Sequence, residues 1–250
     1  MSDSIRVATL NCRNTLDLWH ERRHLLADQL RELQPDVIGL QELRRWPSQS
    51  GWIANHAAHA ATGRYERTHA WKGGWWRWAF EGVGTLSLLP VLEHERLGLT
   101  LDRAALRTTV RLPSGQPFDI YTAHLHHPPE ASDLRGLQAG VLAEWISRRA
   151  TVPHVLVGDL NGTPDSAELK VLLAGMRSAH VVANGAHPAA TFPAPTSAAW
   201  GDAGRVIDYI LIGPGITVRS AGLAFDKVSA DDARVSPSDH YGLVAELTVG

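Results

Sequence analysis

Six stretches of this chain end in a side chain that can bind a metal ion or carry a proton. Near the C-terminus, Asp239 and His240 directly precede an alternating apolar run, so a strand there would hold a carboxylate beside an imidazole. Five other apolar runs end in similar residue types: Asn11, Glu42, His124, Asp159 followed by Asn161, and Asp208. Unrelated turns would not be expected to repeat these types at successive strand ends, so we expect the six ends to meet at one site.

The carboxylate and amide oxygens of this set are ligands for a hard divalent cation. Magnesium usually takes only one or two oxygens from protein and leaves its other positions to water and substrate phosphate. Glu42, Asp239 and Asn11 are the candidate metal-binding residues, which predicts Mg²⁺ or Mn²⁺ as the cofactor. A structural zinc site is not favoured, because the chain has a single cysteine.

His240 is the candidate general base, with Asp208 as the carboxylate that orients its other ring nitrogen. Asp159 could orient the attacking water or take part in metal binding, and the Asn161 amide could donate to a phosphoryl oxygen. His124 could also donate to a phosphoryl oxygen, or it could protonate the leaving group. Together these roles suit hydrolysis of a phosphate ester, which needs a positioned water, a base and stabilisation of phosphoryl charge.

Each of these residues also has a purely structural interpretation. Glu42 alone would more often be a solvated residue at the start of a loop, and Asp159 and Asn161 are common turn residues. His124 alone is more often a satisfied histidine at a strand end. Asp208 is harder to explain in this way, because it interrupts an apolar strand and a buried carboxylate needs a partner. The site hypothesis therefore depends on the joint occurrence of the six ends.

Two strand–helix–strand units are expected to position several of these ends. The first consists of a strand at Ile5–Leu10, an amphipathic helix at Glu21–Leu33 and a buried strand at Asp36–Leu40. The second unit has strands at Phe118–Ala123 and Val155–Val157 around a helix at Ala131–Arg149. The apolar residues of that second helix predict its buried face: Leu134, Leu137, Val141, Leu142 and Trp145.

The rest of the chain predicts short strands, and no linker of low complexity divides it. A Pro/Ala/Gly-rich loop is expected at Asn184–Gly204 and a helix at Ser166–Ala174. We therefore expect one domain over residues 1–250, with mixed strands in two sheets packed face to face and helices outside. The further strands are expected at Gly82–Leu89, Val91–Leu97, Leu106–Leu112, Val206–Ile212, Val218–Phe225 and Tyr241–Val249.

Taken together, these motifs resemble the endonuclease/exonuclease/phosphatase superfamily of metal-dependent phosphoesterases. Its members include deoxyribonuclease I, exonuclease III, neutral sphingomyelinases, inositol-polyphosphate 5-phosphatases and deadenylases. The ordered motifs are TLN, LQE, TAHL, GDLNGTPDS, RVIDYIL and SDH, and the resemblance runs from Thr9 to Leu247. The resemblance implies a four-layer α/β sandwich, like deoxyribonuclease I, with the site at one edge of the two sheets.

The resemblance also implies roles for individual residues. Glu42 is similar to the family's metal-binding glutamate, and Asn11 to the asparagine near the metal and the scissile phosphate. Asp239 matches the second acidic residue beside the metal. The remaining matches are Asp159 and Asn161 with the Gly-Asp-x-Asn pair, and Asp208 and His240 with the carboxylate–histidine pair.

This chain departs from some of the family's motifs, and these differences indicate which branches of the family it resembles. Enzymes similar to exonuclease III carry an Asn-x-Tyr pattern where this chain has Tyr121-Thr-Ala-His124, and they commonly have a lysine after the Gln-Glu pair, which here is followed by Leu43. Abasic-site repair is therefore not favoured. The histidine of TAHL resembles the deoxyribonuclease, sphingomyelinase and phosphatase branches. Arg135-Gly-Leu-Gln138 is similar to a helix start in many bacterial members and in deadenylases.

Substrate contacts are expected from Asn161, from Arg205 and from a tryptophan-rich segment, Trp71-Lys-Gly-Gly-Trp-Trp-Arg-Trp78. In that segment Trp75, Trp76 and Arg77 are the candidate substrate-binding residues. The segment could stack on nucleic-acid bases, bind an amphiphilic headgroup, or simply cover a sheet edge as a hairpin.

The composition of the chain limits which binding partners are expected. A net charge of −2 and a pI near 6.7 provide no global field for polyanions. A local basic footprint would have to come from Arg22, Arg23, Arg44, Arg45, Arg64 and Arg67, which could equally form a scattered solvated surface. Cys12 is expected to pack in the core. No secretory signal and no apolar run near ~18 residues is visible, so a cytoplasmic protein without a transmembrane segment is expected, and no obligate protein partner is evident.

Three functions follow for this chain. The leading hypothesis is a metal-dependent phosphodiesterase that uses direct water attack on a phosphate ester. The second is a DNA or RNA nuclease of the same family, and the third is a binding protein that keeps the fold without catalysis. The loops that line the pocket determine whether the substrate is a lipid, a nucleotide or a nucleic acid. The fold alone does not determine the substrate, because one fold hosts many functions.

Overall fold

A computed structural model describes residues 2–58, 63–73, 81–128, 130–193 and 204–250. Within these residues the longer strands form two six-stranded mixed sheets that pack face to face, with helices on the outer faces. The predicted four-layer α/β sandwich is confirmed. No helix in the described ranges combines the length and apolar character needed to cross a membrane.

The chain completes most of one sheet before it enters the other. The strands are β1 (Asp3–Asn11), β2 (Val37–Leu43), β3 (Glu66–Trp71), β4 (Gly82–Ser87), β5 (Val91–Gly98), β6 (Ala104–Arg111), β7 (Pro117–His124), β8 (His154–Asp159), β9 (Arg177–Ser178), β10 (Phe192–Pro193), β11 (Gly204–Arg205), β12 (Asp208–Ile212), β13 (Ile216–Ala224) and β14 (Gly242–Val249). The helices are α1 (Trp19–Leu33), α2 (Gln49–His56), α3 (Ser132–Ser147), α4 (Ala167–Leu173) and α5 (Ala179–Asn184).

The first sheet has the order β13-β14-β1-β2-β4-β3, and the second has the order β5-β6-β7-β8-β12-β9. Along the chain, β1 to β4 belong to the first sheet, β5 to β9 and β12 to the second, and β13 and β14 return to the first. Apolar side chains from both sheets, including Val7 and Phe118, are fully buried between them. A second buried layer forms where Leu26 of α1 and Ile53 of α2 pack on the first sheet. A third forms where Leu142 of α3 packs on the second sheet. Burial of apolar area on both faces of each sheet stabilises this layering.

Two parallel strand pairs place polar strand ends at one edge of the sandwich. β1 runs parallel to β2, with Asn11 opposite Gln41. β7 runs parallel to β8, with His124 opposite Asp159, and β12 begins antiparallel to β8 with Asp208 opposite the same Asp159. Since parallel strands end at the same edge, their terminal side chains lie together.

Several elements were not predicted because they are short or only partly buried. Helix α2 buries just two apolar side chains, Ile53 and Ala54, so its helical pattern is weak. Strand β3 lies at the edge of the first sheet and starts with exposed residues. The predicted loop at Asn184–Gly204 contains β10, which pairs with β11 over two residues each. Strands of two residues leave no periodic signal in a sequence.

The predicted buried face of α3 is wrong in part. Leu142 and Trp145 are buried, but Leu134, Leu137 and Val141 are 38%, 63% and 46% exposed. The helix instead buries two polar residues, Arg135 and Gln138. Arg135 Nε donates to Glu168 Oε1 at 2.7 Å, and Gln138 Oε1 accepts from His126 N at 2.9 Å. These hydrogen bonds rotate the leucine-rich stripe towards solvent.

Candidate active site

Asn11 links the ends of the two sheets. Its amide nitrogen lies 3.2 Å from Glu42 Oε1 and 3.0 Å from Asp159 Oδ2, so a single NH₂ group bridges two carboxylates. Its carbonyl oxygen accepts from Arg13 N at 2.9 Å. This pattern of partners sets the amide orientation, because the reverse would point an oxygen at two carboxylates. Asn11 is therefore placed as a hydrogen-bond donor, and its oxygen faces away from Glu42 and Asp159.

His240 and Asp208 form a buried pair at the start of β14 and β12. His240 Nδ1 lies 2.9 Å from Asp208 Oδ2, and its other nitrogen, Nε2, lies 3.9 Å from Asp159 Oδ2. The Phe192 ring packs against the imidazole with centroids 4.8 Å apart. Burial lowers the pKa of His240, but the charges of Asp208, Asp159 and Asp239 outweigh it and raise the pKa to about 10. Without further positive charge, the imidazolium form is therefore favoured.

His124 approaches two of the same carboxylates. Its Nε2 is 3.5 Å from Asp159 Oδ2 and 4.0 Å from Glu42 Oε1. Burial, assisted by the charge of Arg103, lowers the pKa of His124 well below its usual value. His124 is therefore a neutral imidazole, while His240 favours the charged form.

The carboxylates at this edge lack sufficient counter-charge. Burial, followed by the charge of Asp208, raises the pKa of Asp159 to about 7. Burial, followed by the charge of Glu81, raises the pKa of Glu42. Asp208 Oδ1 is buried and has no hydrogen-bond partner in the described part of the chain. A hard divalent cation would offset this repulsion, and the oxygen donors fit its preferences.

One compact group of possible metal ligands comprises Asp159, Asp208 and His240, whose ligand atoms lie within 4.8 Å of one another. The distance of 2.9 Å between His240 Nδ1 and Asp208 Oδ2 is that of a hydrogen bond, which requires a proton between the two atoms. That proton occupies the nitrogen lone pair that a metal would need. The Nδ1 side of the pair thus suits proton transfer, while Asn11 brings Glu42 and Asp159 together as oxygen donors that suit a cation.

An open cleft of about 210 Å³ is lined by Glu42, His124, Asp159 and His240. Asn161, Asp239 and Arg205 also line it. Asn161 has a left-handed backbone (φ 51°), and its amide nitrogen donates to Leu125 O at 3.2 Å. Arg205 places its guanidinium carbon 5.9 Å from the Phe192 ring centroid. All of these side chains can therefore face a ligand in the cleft.

Asp239 has partners that were not predicted. Its Oδ2 lies 2.8 Å from Arg13 Nη1, and its Oδ1 accepts from Ser238 Oγ at 3.1 Å. Arg103 was also missed: its Nη2 lies 3.1 Å from His127 Nδ1 beside the cleft. Arg13 directly follows the Asn11-Cys12 strand end, so its position was a usable signal. Arg103 lies in a turn with no motif, and only the fold brings it near His124.

Trp75, Trp76 and Arg77, the predicted substrate contacts, lie outside the described residues. Lys72 precedes these three residues in the sequence and Glu81 follows them. The two side chains form an ion pair near His124. Cys12 is fully buried, and burial raises the pKa of its thiol to about 12, in keeping with the predicted packing role.

Comparisons with known proteins agree with this architecture. The CCR4-Not complex 3'-5'-exoribonuclease subunit Ccr4 of Kluyveromyces lactis is 25% identical over an alignment that covers 66% of this chain. The chain spans about a quarter (26%) of the length of that curated relative. An endonuclease/exonuclease/phosphatase family protein from Bacteroides thetaiotaomicron superposes with a TM-score of 0.82 and 17% identity, covering 100% of this chain and 99% of the other.

Two further solved structures share the fold. The human Nocturnin catalytic domain with bound sulfate anion has a TM-score of 0.75 and 21% identity, covering 98% of this chain and 93% of its own. A humanized D. rerio TDP2 has a TM-score of 0.78 and 21% identity, covering 98% of both chains. The model of the Endonuclease/Exonuclease/phosphatase family matches residues 8–240. The predicted resemblance is thereby confirmed, and the chain belongs to the endonuclease/exonuclease/phosphatase family.

Proposed function

We propose that this protein is a Mg²⁺- or Mn²⁺-dependent phosphodiesterase that hydrolyses its substrate by direct attack of water. The observation that carries the proposal is the meeting of Glu42 and Asp159 with the His240–Asp208 pair in one open cleft. Two carboxylates beside a held imidazole supply a cation site and a proton acceptor within reach of one phosphate. Membership of a family of phosphoester hydrolases supports the same reaction class.

Glu42 and Asp159 would hold the cation, with Asp239 beside them in the cleft. When bound, the cation supplies charge for the phosphoryl oxygens and a more acidic water. Asp239 is paired with Arg13, so it would contribute mainly charge or bind through water. We assign Asn11 a different role from the one expected of it. Its NH₂ group holds the two carboxylates in place, because its oxygen points away from them.

His240 would take the proton of the attacking water at Nε2. Asp208 holds the proton on Nδ1, so Nε2 remains the nitrogen that faces Asp159 and the cleft. The positive charge of a cation at Glu42 and Asp159 would lower the pKa of His240, because like charges disfavour the imidazolium. The buried environment keeps both side chains in a single arrangement.

His124, Asn161 and Arg205 would act on the phosphate. His124 is neutral and lies next to Asp159, so it can donate a hydrogen bond to a phosphoryl oxygen without adding a fixed charge. Asn161 uses its amide nitrogen on Leu125 O, and its second amide hydrogen can serve the substrate. Arg205 lines the same cleft and suits a phosphate oxygen.

The direct test is hydrolysis of bis-p-nitrophenyl phosphate in Mg²⁺ or Mn²⁺, with and without EDTA. We expect turnover to need the metal, and His240→Ala and Asp159→Asn each to lose most of it. Asp165→Asn, an exposed carboxylate outside the cleft, is the matched control. Turnover that persists in EDTA, or full activity in both cleft variants, would contradict the proposal.

A nuclease is the second candidate, and the names of the relatives favour it, since Ccr4 is an exoribonuclease subunit. Of the six arginines considered for a basic footprint, Arg22 does not contribute, because it is buried and binds backbone carbonyls. A plasmid-nicking assay over a salt series separates a nuclease from a phosphodiesterase for small substrates. Binding of substrate without turnover in Mn²⁺ would instead favour the catalytically silent alternative.

A further inference from the structure

A pocket of about 380 Å³ lies beside the catalytic cleft, against the helices of the first sheet. Its walls come from the start of α1, the turn after β2 and the start of α2. The side chains that matter here are Trp19, Trp52, Arg23 and Arg44. A pocket of this volume suits a bound organic group, whereas a single water needs far less space.

Two indoles form one wall of this pocket. The rings of Trp19 and Trp52 meet edge to face, with centroids 5.9 Å apart. His56 stacks on Trp52 at 3.8 Å, and the guanidinium carbon of Arg23 lies 4.8 Å from the Trp52 ring centroid. Nucleobases stack on indole rings and on guanidinium planes, because every base presents a π face. Because His56 and Arg23 already lie against the Trp52 ring, a planar aromatic ligand would stack on the Arg23 guanidinium or meet the Trp19 ring.

The charged groups of the pocket are cationic. Arg23 Nε is buried and has no hydrogen-bond partner among the residues described. Arg44 donates to Trp46 O and Thr15 Oγ1 at 2.8 and 3.0 Å, which fixes its guanidinium at the rim. None of the described residues that line the pocket is Asp or Glu. In a chain of net charge −2, this is a local positive patch beside an acidic cleft, so it favours an anionic ligand.

The pocket and the cleft share the ends of β1 and β2. Arg44 follows Glu42 by two residues, and its backbone N donates to Gln49 Oε1 at 2.9 Å. Gln49 Nε2 donates in turn to Asn14 O at 2.6 Å, three residues beyond Asn11. A polymer bound at both sites would therefore cross the ends of β1 and β2.

We propose that this indole–arginine pocket (Trp19, Arg23, Arg44 and Trp52) is a nucleotide-binding subsite. A nucleobase stacks against Trp19 and the Arg23–Trp52 layer, and a phosphate of the same strand meets Arg23 and Arg44. The inference rests on the proposed phosphodiesterase function and deepens it, because it selects a single-stranded polynucleotide as the substrate class. A phospholipid headgroup would offer a phosphate but would leave the indole wall without a planar partner.

Arg23→Gln and Arg44→Gln test the subsite, and Arg148→Gln is the matched control, since Arg148 is 68% exposed and lies beyond the end of α3. Fluorescence anisotropy in EDTA measures binding of a labelled oligoadenylate, as RNA and as DNA. We expect each pocket variant to weaken binding about 5- to 20-fold. The slope of log affinity against log salt concentration should fall by about 0.7 for each phosphate that the variant no longer neutralises. The control variant should bind like the unaltered protein.

Kinetic measurements show whether a negative result contradicts the subsite hypothesis or the proposed catalytic function. The ratio of kcat/KM for oligoadenylate to kcat/KM for bis-p-nitrophenyl phosphate should fall about tenfold in the pocket variants. Unchanged oligonucleotide affinity in both variants overturns the subsite, even where the small diester is hydrolysed. Oligonucleotide binding that depends on Arg23 and Arg44, in a protein that hydrolyses neither substrate, supports the subsite and overturns the function. Binding of phosphatidylcholine vesicles that disappears in the same variants, without oligonucleotide binding, overturns the nucleotide assignment.

Discussion

Replacement of Asp208 by Asn tests the proposed base most directly. Asp208 Oδ2 lies 2.9 Å from His240 Nδ1, and the two side chains are 1% and 7% exposed. The carboxylate accepts the Nδ1 proton, which leaves Nε2 free to receive a proton from water. An amide at this position can donate to Nδ1, and it then favours the tautomer that carries its proton on Nε2. That tautomer cannot act as a base towards the cleft.

The expected fall in rate follows from this geometry. A charge-assisted hydrogen bond between buried groups contributes about 1.5–3 kcal/mol, and the wrong tautomer adds a cost of about the same size. A total of about 3–6 kcal/mol corresponds to a fall in kcat of roughly 10²- to 10⁴-fold. The assay is steady-state hydrolysis of bis-p-nitrophenyl phosphate at saturating Mg²⁺, with the melting temperature measured on the same samples.

Asp119→Asn is a matched control from the same sheet. Asp119 is fully buried and accepts hydrogen bonds from Thr109 Oγ1 at 2.5 Å and Arg149 Nε at 2.9 Å. It lies five residues before His124 on β7, about 17 Å along the strand. We expect this variant to lose about 2–3 kcal/mol of unfolding free energy but to keep its kcat within twofold. Asp208→Asn with more than a tenth of normal kcat, or equal kcat losses in both variants, would refute the assignment of His240 as the base.

Three other outcomes are expected. Arg22→Met should lower the unfolding free energy by about 3–5 kcal/mol in urea titrations, because Arg22 donates to the carbonyls of Cys12, Pro237 and four residues of the loop that follows β1. Addition of Mg²⁺ at ten times its Kd should raise the melting temperature by about 3–5 °C in the unaltered protein and much less in Glu42→Gln, since only the folded state presents the cation site. Lowering the pH from 7.5 to 5 should cost about 2 kcal/mol of stability through His69, and His69→Gln should lose correspondingly less.

The sign of the pH effect follows from burial. Burial, followed by the charge of Arg67, lowers the pKa of His69 to about 4, while an unfolded histidine titrates near 6.5. Between these two pH values the unfolded chain binds more protons, so stability falls as the pH decreases through that window. His69 Nε2 lies 2.7 Å from Ser50 Oγ, a contact that a glutamine can partly replace. Equal acid sensitivity of the variant and the unaltered protein would rule out His69 as the cause.

The convergence of the candidate site was predictable because most of its polar residues occur where strands stop. Asn11, Glu42, His124 and Asp159 each follow an apolar run, and two strand–helix–strand units bring the ends of such runs to one edge. The order of the motifs therefore predicted both the fold and the convergence of the site. The short strands and the buried face of α3 were less accessible, because two-residue strands have no period and Arg135 is buried for its hydrogen bonds.

The sequence by itself determined which polar side chains lie at the strand ends of the candidate site, since local periodicity sets where each strand ends. Tertiary structure decided how those side chains are used. The amide of Asn11 became a donor only because Glu42 and Asp159 arrive from different sheets on the same side of it. The indole–arginine pocket likewise exists only because Trp19 and Trp52 come from two helices that pack side by side. Contacts of this kind depend on distances between elements that are remote in the chain, and no local pattern of residues encodes those distances.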